Sequence, residues 1–130
     1  MTTNNPKYKD NLIMKLSFEF AADILRFTET LEHQKKFVVA NQLARSGTSI
    51  GSNIREAQNA ESKADFIHKV KIAAKEADET EYWLLLCKEL KYAEGPEKLL
   101  LQLESILKVL NKIISSSKIN LKSLANQPIS

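Results

Sequence analysis

The chain has little of what cross-links, bends or anchors a protein. Its 130 residues include one cysteine, three glycines and three prolines. A single cysteine excludes an internal disulfide, which fits a reducing cytoplasm. Cys87 also falls on an apolar stripe, where a thiol serves as a buried packing group rather than a nucleophile. So few glycines and prolines argue against a many-turned β protein and for long helices. No apolar run approaches the ~20 residues that a membrane helix needs. The opening MTTNNPKYKDN lacks the apolar centre of a signal peptide. Charge of one sign is scarce too. Against 16 acidic side chains stand 19 basic ones, a net charge of +3, and the surplus lies in residues 97–130, where five lysines face Glu97 and Glu104. That is far from the footprint of a dedicated nucleic-acid domain, although the fields of several associated copies would add.

Catalytic signatures are equally sparse. A di-metal site in a helical bundle needs carboxylates and Glu-x-x-His pairs projecting from facing helices. Asp65-Phe-Ile-His68 is an acid–histidine pair at that spacing, but His33 has no such partner. Gly47 and Gly51 are followed by no lysine, so they make no phosphate loop. Ser46, Ser49 and Ser52 lack a histidine base nearby, and the Ser-x-x-Lys pattern at Ser115–Lys118 lies in a stretch that weakens a helix. The chain reads as a non-enzyme without a metal or cofactor.

Helical periodicity is what the sequence has in abundance. Leu12, Leu16, Phe20, Ile24, Phe27 and Leu31 recur at three- and four-residue steps and predict a first helix over Asn11–His33. Val39, Leu43, Ile50, Ile54 and Ala57 predict a second over Phe37–Ala57. Ser62 is suited to cap a third, with Asp65 completing a shortened capping box. Its stripe of Phe66, Val70, Ala73, Ala77, Thr80, Leu84 and Cys87 has the spacing of a bundle core. Gly95-Pro96 marks a turn. Beyond it, Leu99, Leu103, Ile106, Leu110 and Ile113 predict a fourth helix over Glu97–Ser115. Short connections force neighbours antiparallel, so the expected fold is all-α, an antiparallel up-down-up-down four-helix bundle. It forms one domain over residues 1–130, with flexible ends at about 1–10 and 118–130.

Two features ask for more neighbours than one bundle supplies. The third helix is apolar on a second face, through Ile72, Trp83, Leu86 and Leu90. The second helix carries a row of small or hydrogen-bonding residues, Gln42, Ser46, Ser49, Asn53 and Glu56. Gly47 and Gly51 each weaken that helix by ~1 kcal/mol relative to alanine, which close approach of another backbone would offset. The row is either packed against a neighbouring helix or subunit, or wet. Arg45 is expected to reach Glu76, Glu79 or Glu81 on the third helix, within one chain or between copies, since its planar fork suits carboxylates. The alternative is that it stays solvated or reaches phosphate. If the pair is buried, losing Arg45 costs of order 3–5 kcal/mol. His68, Lys71 and Lys75, with Tyr82 further along, form one basic row; Lys108 and Lys112 form another. Either could contact phosphate or simply be solvated. The rows lack the Arg, Asn and Gln groups that read bases, so such binding would be weakly specific and salt-dependent.

The runs R-S-G-T-S-I-G-S-N-I-R-E-A at Arg45–Ala57, S-K-A-D-F-I-H-K at Ser62–Lys69 and K-E-A-D-E-T-E-Y-W-L at Lys75–Leu84 resemble the four-helix bundle protein family. It is also known as the ribosomal RNA intervening-sequence or S23 family and is related to the accessory variability protein of diversity-generating retroelements. The resemblance covers roughly Leu12 to Leu110. It implies an up-down bundle, a homo-oligomer in the form of a pentameric ring, and no known catalytic activity. In the retroelement branch it implies binding to nucleic acid, RNA or DNA, and to a reverse transcriptase. The reading that follows is a self-assembling adaptor or scaffold with weakly specific nucleic-acid binding. Its rival is a purely structural protein–protein module with no nucleic-acid role.

Overall fold

Asn11 opens the first helix, α1 (Leu12–His33), by accepting the Met14 N–H on its side-chain oxygen. The structure, a computed structural model, describes residues 11–125, with side chains to residue 117. α2 spans Phe37–Ala57, α3 Lys63–Leu90 and α4 Pro96–Ala125. Ser62 caps α3 as the sequence predicts, taking the Asp65 N–H at 3.0 Å. The Asp65 carboxylate reaches one residue past the cap, to the Glu61 N–H, which is the imperfection expected of an aspartate in a glutamate's position.

Cross-helix pairs give the direction of each element. Asn11 bonds Gln58, Ser17 lies against Gly51 and Ile24 against Gly47, so partner numbers fall along α2 as they rise along α1. On α3, Glu79 and Thr80 meet Arg45 and Ser46 of α2, while Lys69 meets Glu56. Ser117 of α4 shares a cleft with Lys63 and Phe66, at the opposite end from the turn that joins α3 to α4. Each helix therefore runs antiparallel to the one before it. α4 closes the arrangement by packing on α1, where the Gln102 amide donates to Asp23.

All four helices share one core. Phe20, Ile24, Leu31, Leu43, Ile50, Ile54, Leu84, Leu103, Ile106 and Leu110 are fully buried in it. Four expectations shift. In α1 the buried member of the first turn is Ile13 and Leu12 is exposed; in α3 it is Ile67, with Phe66 half-buried. A helix of 3.6 residues per turn drifts against a fixed three-and-four pattern, and the drift shows first at the ends. α4 begins at Pro96, whose missing N–H costs nothing in a first turn. It also continues past Ser115–Ser117 to Ala125 instead of stopping there, so residues 118–125 are helical. Residues 1–10 and 126–130, expected to be flexible, lie outside the described residues.

Candidate interaction surfaces

The α2–α3 seam is where the small-residue row of α2 lands. Ser46 is fully buried, and its hydroxyl lies 2.9 Å from that of Thr80, which is also buried. The Thr80 oxygen is 2.7 Å from the Glu76 carbonyl as well. One hydroxyl proton cannot serve both, so Ser46 supplies the shared hydrogen when Thr80 donates to the carbonyl. Ser49 and Asn53, both half-buried, donate back to the carbonyls of Arg45 and Ser49 on their own helix. Glu56 takes the Lys69 ammonium at 3.2 Å, and half-buried Gln42 lies within 3.5 Å of the Arg45 guanidinium. Within one chain the row is a helix–helix seam.

Arg45 straddles the outer edge of that seam. Its guanidinium reaches Glu76 at 3.2 Å and also pairs with Glu79. Both partners lie in the same chain. Glu81 is exposed and takes no part: one residue past Thr80, it sits about 100° around α3 from the seam. The pair is not buried either: the Arg45 side chain is 48% exposed. Water screens it, so the cost of order 3–5 kcal/mol reserved for a buried pair does not apply.

The glycines of α2 face α1. A Cβ at Gly47 would sit 2.8 Å from a side-chain carbon of Ile24, and one at Gly51 would sit 3.3 Å from the Ser17 backbone oxygen. Close approach is thus what offsets their poor helix propensity.

The outward face of α3 changes chemistry along its length. His68, Lys71 and Lys75 are exposed in its first half, and none has an ion-pair partner among the described residues. In the second half Tyr82 is 59%, Leu85 49% and Leu90 47% exposed. Trp83 is half-buried, edge-on to Tyr82, and its indole nitrogen is buried with no hydrogen-bond partner among the described residues. Leu86 is half-buried beside it. On α4, Lys108 and Lys112 are exposed, and Lys108 pairs with Glu104 on its own helix. Two things escaped the sequence reading. One is the pair of polar links Asn11–Gln58 and Asp23–Gln102, which depend on partners far apart in the chain. The other is the outward apolar pair Phe18 and Leu25 of α1, seven residues apart, whose spacing was there to be read.

Cys87 is fully buried, and burial pushes its thiol up to about 11 from 9.0. That is the reverse of the depression a nucleophilic thiol needs. Among the described residues no three metal-binding side chains come together, and no helix is long and apolar enough to cross a membrane.

A family model described as 23S rRNA-intervening sequence protein matches residues 9–115. Among solved structures, a protein of unknown function from the S23 ribosomal protein family of Bacteroides thetaiotaomicron VPI-5482 is similar at 46% identity, with a TM-score of 0.77. The match covers 79% of this chain and 98% of that one. No curated protein matches. Neither description names an activity.

Proposed function

The chain belongs to the 23S rRNA-intervening sequence protein family, and from that premise we propose that it is a non-catalytic bundle. Its copies associate into a scaffold that holds nucleic acid through phosphate contacts with little sequence preference. The observation that carries the reading is the apolar second half of the α3 outward face, where Tyr82, Leu85 and Leu90 stand exposed beside Trp83 and Leu86. A contiguous apolar patch rimmed by charge marks an interaction site rather than ordinary surface. The lysine rows of α3 and α4 supply the phosphate chemistry, and repetition around an assembly multiplies a field that is weak in one copy.

Light scattering at micromolar concentration should find a species larger than the 14.7 kDa chain. A monomer alone would remove the scaffold. Filter binding to RNA, DNA and hybrid duplex should give affinities that fall steeply with salt and differ little between sequences. Lys108→Glu with Lys112→Glu should weaken all three alike. Assembly without binding to any of them would leave the protein–protein module as the function.

A further inference from the structure

A cleft opens at the end of the bundle where α2 hands over to α3 and α4 passes at Ser117. Its volume is about 390 Å³, within the range of small-molecule sites. Gln58, Ser62, Lys63, Phe66 and Ser117 line it, and the rest of the wall is alanine. Phe66 borders it because Ile67 takes the buried position of that turn. The ring is left half-buried, packed on the core and open to the cleft. Lys63 is the only charged group on the wall. It is exposed and has no ion-pair partner among the described residues. The acids nearby are engaged or lie off the wall. Glu56 takes the Lys69 ammonium, Asp65 accepts the Glu61 N–H, and exposed Glu61 does not line the cleft. Two donors complete the set. The Gln58 amide accepts from Asn11 and gives one hydrogen to the Ile54 carbonyl, so its second N–H is left over. The Ser62 oxygen accepts the Asp65 N–H, and its own hydroxyl hydrogen is uncommitted among the described residues.

We infer that this cleft holds one nucleotide of a single-stranded nucleic acid, its base against the Phe66 ring and a phosphate on Lys63. The assignment rests on the nucleic-acid binding proposed above and gives it a second locus. An aromatic ring stacks on any base, because every base has a π-face, so the contact carries little sequence preference. A lysine with no acid beside it on the wall suits a phosphate. The Gln58 N–H and the Ser62 hydroxyl are donors for base or sugar oxygens. A purely apolar ligand would cover those donors without pairing them, which costs free energy. An inorganic anion would use Lys63 and leave the ring idle. A base paired in a duplex must leave its stack before it can enter. The cleft therefore separates single strands from duplex, which the outward Lys108 and Lys112 do not. Arg55 and Lys112, exposed at the same end without ion-pair partners among the described residues, add field that attracts the rest of the strand.

The test is fluorescence anisotropy with a labelled single-stranded oligonucleotide and with the blunt duplex of the same sequence. The proteins are the full-length wild type, Phe66→Leu, Phe66→Trp and Lys63→Glu. Leucine keeps an apolar side chain against the core but removes the stacking ring. Phe66→Leu should weaken single-strand binding on the order of tenfold, and Phe66→Trp, which restores a ring, should recover it. Lys63→Glu should weaken it as much and flatten its dependence on salt. Duplex binding should stay at the wild-type level in all three, which a misfolded variant would not achieve. Variants that bind the single strand as tightly as the wild type, or that lose single strand and duplex alike, would overturn the cleft and leave nucleic-acid binding standing. So would a wild type that binds duplex alone. A wild type that binds neither would overturn both.

Discussion

Gly47 and Gly51 are four residues apart on one helix, yet a methyl group at each meets a different obstacle. At Gly47 it would overlap Ile24 at 2.8 and 2.9 Å. Overpacking of that kind costs about 1–3 kcal/mol, more than the ~1 kcal/mol of helix propensity it recovers. Gly47→Ala should lower the melting temperature, whereas Gly51→Ala, with its nearest atom at 3.3 Å, should stay close to wild type. Equal melting of the two variants would mean that α1 and α2 do not approach as described. Arg45→Ala should cost about 1 kcal/mol or less in urea denaturation, because the pair it breaks is half in water. Cys87 gives the pH dependence. Below pH 9 the thiol is protonated in folded and unfolded chains alike. Between 9 and 11 only the unfolded chain releases its proton, so stability drains away across that window. The readout is the difference from Cys87→Ala, which should lose less stability between those pH values.

At the scale of the helix, the interior was legible and the ends less so. Val39, Leu43, Ile50, Ile54 and Ala57 are all buried as their spacing predicts, since burial follows the 3.6-residue period. Helix ends depend on caps, and two caps here carry unexpected residues. α1 and α3 both end in a left-handed lysine, Lys35 at φ 62° and Lys91 at φ 54°, where glycine is the usual choice. At the end of α3, Lys91 N–H bonds the Lys88 carbonyl and Tyr92 N–H bonds that of Cys87, a complete Schellman motif. A lysine there bears a steric cost that glycine lacks. Lys91→Gly should therefore stabilise the protein by up to about 1 kcal/mol, net of the added freedom of the unfolded chain. A lower denaturation midpoint would mean that the Lys91 side chain contributes more than its backbone costs. The far end of α4 was misread for a related reason. Three serines lower helix propensity, but propensity is a weak prior beside packing, and α4 runs on to Ala125.

For the molecule as a whole, fold and function were legible to different degrees because different physics writes them. The bundle follows from apolar spacing, which a sequence displays openly. Phosphate contact does not, since a lysine that binds phosphate and one that binds water are the same residue in the same pattern, as at Lys108 and Lys112. Assembly lies between the two. The outward apolar groups at Phe18, Leu25, Tyr82, Leu85 and Leu90 are exposed in the single chain, and their burial between copies would add stability that one copy lacks. That coupling has a thermodynamic signature. Where folded chains associate and unfolded chains do not, mass action makes the midpoint of unfolding rise with protein concentration. Raising the concentration from about 1 to about 100 µM should therefore shift both the thermal and the urea midpoint upward. Midpoints independent of concentration in the wild type would mean that one copy carries the whole stability of the fold.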